Sequence, residues 1–199
     1  MSANDNFAKM LHALEKVFAD ENRPGGDEAA KALSEVASNP FDLPPPHSLD
    51  IVDTAKDPLR TGGHAAASAI LASWPLIDWH HSGLDDGRIR PEIALSMATT
   101  ELIGPDGMIF HPTVRAGLFM QIADLDYVTR THPAEETFVM LGGVGYWACN
   151  GSVPQSQVTG AYIHHPSNAP HASITKAAPL IAAWRWTGDI GWDGYSLVG

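Results

Sequence analysis

Beyond about residue 88 the apolar stretches are of strand length, and a turn signal closes off one after another. The signals are Gly104-Pro105-Asp106-Gly107, Gly142-Gly143, Asn150-Gly151 and Pro166-Ser167-Asn168. Between and around them lie Ile93–Ile103, Ala116–Leu125, Thr137–Leu141, Gly145–Ala148, Ala161–His164 and Leu180–Trp186, some alternating in polarity. Many short strands at close spacing predict an antiparallel sandwich or barrel.

The first part of the chain has a different texture. Phe7, Met10, Leu11, Leu14, Val17 and Phe18 recur at three- and four-residue steps, the apolar stripe of an amphipathic helix. Arg23-Pro24-Gly25-Gly26 interrupts it, and Asp27 is the expected cap of a second helix carrying Ala30, Leu33 and Val36. Asn39-Pro40 to Pro44-Pro45-Pro46 reads as an extended linker, since proline cannot continue a helix. A third helix is expected over about Gly63 to Ser73. These features divide the chain into a helical region, 1–88, and a barrel, 89–199. The helices need a partner for their apolar faces, and the barrel is the expected one.

A chain of 199 residues can bury one substantial core, and its 44% hydrophobic and 18% charged residues are ordinary for a globular protein. The formal charge of −11, with no basic cluster, argues against nucleic acid as a partner. The N-terminal residues have no continuous apolar core like that of a secretory signal, and no stretch approaches the roughly 20 apolar residues of a membrane span. With a single cysteine, Cys149, no internal disulfide forms, which fits a reducing compartment. A cytoplasmic protein without membrane partners is the expectation.

Residue chemistry points most sharply to a metal. A turn-like segment carries His132 and enters a strand at Glu136, and the run His164-His165-Pro166-Ser167-Asn168-Ala169-Pro170-His171 delivers His171 at the start of another strand. Two imidazoles and a carboxylate are usual ligands for Zn, Fe, Mn or Ni and leave open positions for substrate. A His-x3-Glu pair recurs often by chance. Here it is followed by Gly143 and joined by Gly160, Pro166, Asn168 and His171.

With those residues the sequence resembles the cupin superfamily. His132, Glu136 and Gly143 fit the spacing of its first motif; Gly160, Pro166 and His171 fit the second. Asn168 takes a glycine position, a swap that asparagine tolerates because it also visits positive φ. Thr175 replaces the final Asn. Narrower still, Leu125-Asp126-Tyr127, His132-Pro133-Ala134-Glu135-Glu136, Gly142-Gly143 and Trp184-Arg185-Trp186-Thr187-Gly188 are similar to the cupin-type dimethylsulfoniopropionate (DMSP) lyases. The resemblance implies a mainly β fold, a cupin barrel with an α-helical N-terminal extension. It further implies one divalent metal on His132, Glu136 and His171, and Tyr127 as the general base.

Two positions depart from that family pattern: Arg130 stands where the first-motif histidine is expected, and Phe138 where a tyrosine is. Arginine cannot ligate a cation, but three protein ligands plus water remain a normal catalytic set. Arg130, Phe138, Tyr146 and Trp184 are the candidate substrate-contacting residues. The reaction implied is a β-elimination on DMSP or a related small carboxylate. The base takes the proton beside the carboxylate, the metal stabilises enolate charge, and aromatic faces suit a sulfonium. A cupin dioxygenase or isomerase, or a non-catalytic binding cupin, remains an alternative at this stage. The resemblance also implies a capacity to form a homodimer through barrel edges.

Other polar residues read as structural. His80-His81 precede a Gly/Asp turn and suit a surface better than a metal. His164 and His165 are neighbours in a strand, so at most one faces the pocket. Glu135 should face away from Glu136.

Overall fold

The computed structural model describes residues 2–81 and 89–197. The boundary expected at residue 88 and the Gly/Asp turn expected after His81 lie outside the described residues. The stripe from Phe7 to Phe18 is buried on α1 (Ala3–Ala19), whose first turn is closed by a capping box between Ser2 and Asp5. Helix α2 (Pro24–Ser38) packs across it. Asp27 does not cap this helix, which starts three residues earlier. Pro24 has its φ preset for the first helical position, and Asp27 lies in the first turn, where a carboxylate favours the helix dipole. Short helices α3 (Lys56–Thr61) and α4 (Ala67–Ser73) follow the extended linker. Helix α4 begins later than expected, after Gly63 at φ +71° and a turn. Helix α5 (Pro91–Ala94) leads into the barrel.

The barrel strands are β1 (Met97–Gly104), β2 (Ile109–Phe110), β3 (Arg115–Gln121), β4 (Asp126–Thr131), β5 (Glu135–Gly142) and β6 (Val144–Cys149). They continue with β7 (Gln155–Val158), β8 (Tyr162–His165), β9 (His171–Ile174), β10 (Leu180–Thr187) and β11 (Ser196–Leu197). One sheet runs β2-β1-β3-β10-β5-β8 and the other β11-β4-β9-β6-β7. The pairings are antiparallel except β1 with β2. This is the mainly β barrel with a helical N-terminal extension expected above. The residues just before His132 are not a turn, however: they form β4, whose Arg130 lies opposite His171 of β9.

The central strands of the first sheet, β3, β10 and β5, are buried on both faces, so β10 is an almost unbroken apolar run. Leu180, Ala182, Trp184 and Trp186 face the barrel interior, while Ile181 and Ala183 join the core shared with the helices. Strand β5 divides the same way, with Phe138 and Met140 inward and Val139 and Leu141 toward the helices.

Arg185 also points to the helices. Its Nη2 and Nε donate to Glu21 at 2.6 and 2.8 Å, and Nη2 also meets Glu135 at 2.9 Å. Thr137 donates a further hydrogen bond to Glu21. Burial alone would lower the basicity of Arg185, but its bonds to Glu21 and Glu135 raise it. Gly25 admits this network: a Cβ there would lie 2.5 Å from Arg185 Nη1 and 2.6 Å from both Glu135 Oε1 and Thr187 Oγ1. Gly25→Ala is expected to destabilise the fold by about 1–3 kcal/mol through overpacking, read as a lower midpoint in thermal unfolding.

Candidate metal centre and pocket

His132 is the first residue after β4, Glu136 the second of β5 and His171 the first of β9. The turn before β9 places Asn168 at φ +59°, and its N–H donates to His132 O at 2.8 Å, fastening the segments that carry His132 and His171 together. One ligand atom from each of His132, Glu136 and His171 falls within 4.8 Å of the others, and all three residues are buried. Glu136 Oε2 lies 3.4 Å from His132 Nε2 and 3.2 Å from His171 Nε2.

The hydrogen bonds on the far side of each ring decide what this cluster suits. His132 Nδ1 contacts Ala134 O at 3.1 Å and His171 Nδ1 contacts Ala169 O at 2.9 Å. A carbonyl only accepts, so each Nδ1 carries the hydrogen and a neutral ring aims the Nε2 lone pair inward. Neither Nε2 has a hydrogen-bond partner among the described residues. Burial and then the charge of Arg130 push His171 down to about 3, so it stays neutral. Burial raises the Glu136 pKa, but its electrostatic and hydrogen-bonding interactions with His132 and its hydrogen bonds to His165 and His171 hold it well below the usual carboxylate range. Lone pairs converging on one point repel unless a proton or a cation lies between them. The donor set therefore fits a divalent cation.

Two further residues orient Glu136. His165, opposite it in the β5–β8 register, donates from Nδ1 to Oε2 at 2.9 Å, and Trp186 Nε1–H donates to Oε1 at 2.7 Å. His165 also stacks on His171, with ring centroids 4.0 Å apart. Glu135 faces the helices, as its contact with Arg185 shows.

Glu136 also lines a cavity of about 460 Å³, counted with its open mouth. Phe119, Phe138, Trp184 and Trp192 form apolar walls, and Tyr127, Arg130 and Tyr195 bring polar groups. The Tyr127 and Tyr195 hydroxyls are 2.6 Å apart. Burial, then the neighbouring Tyr127, raises the Tyr195 pKa well above the usual phenol value, so Tyr195 stays protonated and can donate to Tyr127. The Arg130 guanidinium lies 4.0 Å from the Tyr127 ring centroid.

The structure brings Tyr127, Arg130, His132, Glu136, Phe138, His171 and Trp184 together around this pocket and its adjoining cluster. It does not bring Tyr146. That side chain is absent from the pocket lining and lies under Lys176, 4.1 Å from the ring centroid, because in β6 its neighbour Trp147 takes the inward position against Phe138. His80 is exposed and meets His47 and Asp78 at the surface, with ligand atoms within 4.8 Å of one another.

Sequence reasoning left His165 undecided against His164 and missed Tyr195 and Trp192. Only register separates the two histidines. Tyr195 and Trp192 belong to a Gly/Asp-rich C-terminal segment without strand or helix periodicity, and their aromatic character was the one available signal.

Fold and site together define a cupin built around a two-histidine, one-carboxylate centre. The model of the dimethylsulfoniopropionate lyase family matches residues 43–182, and the chain belongs to that family. It is 27% identical over 180 residues to the dimethylsulfoniopropionate lyase DddQ of Ruegeria pomeroyi, spanning 90% of this chain and 85% of that one. Among solved structures, one from a study of the DMSP lyases RdDddP and RnDddQII is similar over 100% of both chains, at 24% identity and TM-score 0.72. The Ruegeria pomeroyi DddQ structure is similar over 94% of this chain and 96% of that one, at 23% identity and TM-score 0.61. No helix among the described residues is long and apolar enough to cross a membrane.

Proposed function

We propose that this protein is a metal-dependent carbon–sulfur lyase that cleaves DMSP, or a close carboxylate relative, to dimethyl sulfide and acrylate. The observation that carries the reading is the Tyr127–Tyr195 hydroxyl pair, 2.6 Å apart in a pocket shared with Glu136 and Arg130. In the elimination, Tyr127 as phenolate takes the proton beside the substrate carboxylate. The C–H electrons form the new double bond, and the C–S bond breaks with its pair leaving on sulfur. Tyr195 donates a hydrogen bond to the Tyr127 oxygen, and Arg130 places positive charge against the Tyr127 ring, so both favour the phenolate. A divalent cation on His132, Glu136 and His171 would supply Lewis-acid stabilisation of the developing enolate charge. Phe138 and Trp184 offer faces to the sulfonium, and the walls exclude water from the reacting carbon.

The test is headspace measurement of dimethyl sulfide from purified protein of known metal content. Tyr127→Phe is expected to lower kcat by about 10²–10⁴-fold, the range for loss of a general base, with metal content unchanged. Wild-type turnover in the phenylalanine variant would remove Tyr127 from the role.

A further inference from the structure

Arg130 is 2% exposed, and its Nη1 and Nη2 have no hydrogen-bond partner among the described residues. A buried guanidinium without a counter-charge is costly, and proteins normally pair it. Here its surroundings are the faces of Tyr127, at 4.0 Å, and Phe138, at 6.0 Å, which hold the planar group without using its N–H donors. It lines the cavity and sits on β4 directly opposite His171. A fixed fork of unpaired donors on a residue that lines a cavity matches one ligand chemistry especially well, the two oxygens of a carboxylate bound side by side.

We propose that Arg130 is the carboxylate anchor of this pocket, so that the ligand class is a small monocarboxylate held by the arginine fork even when no metal is bound. The inference rests on the lyase reading for the location of the substrate, but not for the reaction. With the carboxylate on Arg130, the remainder of the ligand extends along Phe119, Phe138 and Trp184. Glu136, the anionic group among the lining residues, keeps the site from being uniformly cationic. A cationic far end is therefore accommodated, and a second carboxylate is disfavoured by the apolar walls.

The experiment titrates propionate and its neutral isostere propionamide into the full chain as purified, followed by tryptophan fluorescence and calorimetry. Propionate should bind and propionamide should not. Arg130→Gln should weaken propionate by about 10- to 100-fold, the range for losing a charge-assisted pair. Arg130→Lys, which keeps the charge but loses the fork, should fall between. His171→Ala, measured alongside, should retain propionate binding after losing the metal. Circular dichroism of each variant confirms that it is folded. Equal binding of propionate and propionamide by the wild-type protein overturns the anchor without relying on any variant. So does a pattern in which His171→Ala abolishes propionate binding and a folded Arg130→Gln preserves it, because the metal would then be the anchor. The lyase reading is separated by the dimethyl sulfide assay. Propionate binding that depends on Arg130 in a protein releasing no dimethyl sulfide keeps the anchor and removes the reaction. Dimethyl sulfide release with unchanged KM in Arg130→Gln removes the anchor and keeps the reaction.

Discussion

Glu21→Ala should destabilise the protein by about 3–5 kcal/mol, enough to lower the thermal midpoint by roughly 6–20 °C for a chain of this size. Both side chains of the Glu21–Arg185 pair are 0% exposed. Removing the carboxylate leaves a guanidinium buried behind the barrel sheet, with Thr187 and the partly exposed Glu135 as its remaining partners. The loss should resist added salt, because a buried pair is little screened. The double variant Glu21→Leu with Arg185→Met is expected to recover much of the stability, since apolar replacement of a whole buried pair is often neutral or better. A loss below about 1 kcal/mol in Glu21→Ala would show that water reaches the pair. Chemical denaturation of the single and double variants measures both values.

His171→Ala should abolish metal retention and, with it, dimethyl sulfide release, by at least about 10³-fold. The centre has two imidazoles and one carboxylate in its closest group, so deletion leaves two ligands where stable sites have three or four. His165 is not expected to compensate, because it falls outside the group of ligand atoms that come within 4.8 Å of one another. His132→Ala is expected to behave alike. Metal analysis after gel filtration is the measurement, and wild-type metal content in both variants would refute the assignment of the centre.

Much of the barrel was legible because turn chemistry is local. Gly142-Gly143 marks the passage from β5 in one sheet to β6 in the other, and Asn150-Gly151 the β6–β7 hairpin; Gly143, Asn150 and Gly151 adopt positive φ there. Strand β7, Gln155 to Val158, escaped because an edge strand exposed along most of its length carries no apolar alternation. Strand β4 escaped because its residues mix polar and apolar types, and its pairing with β9 is interrupted between Tyr127 and Arg130. The convergence of His132, Glu136 and His171 was readable because spacing within a loop–strand junction fixes where they arrive. The selection of His165 over His164 depends on β5–β8 register, and the arrival of Tyr195 beside Tyr127 on a contact spanning 68 residues. Neither leaves a mark in the local sequence. Tyr146 was misplaced for a related reason: in a short aromatic strand, sequence alone does not say which of two neighbours, Tyr146 or Trp147, faces inward.

The wall formed by β5 and β10 is one residue thick. Arg185 and Trp186 are consecutive, as are Glu135 and Glu136; one of each pair holds the helices and the other belongs to the histidine–carboxylate cluster or its hydrogen bonds. A single insertion or deletion in either strand would exchange their destinations, sending a charged anchor into the pocket and an active-site group into the helical core. Lineages carrying this architecture can therefore vary these strands by substitution but scarcely by length, and a barrel stripped of its first two helices would be left with an exposed apolar back instead of a smaller enzyme.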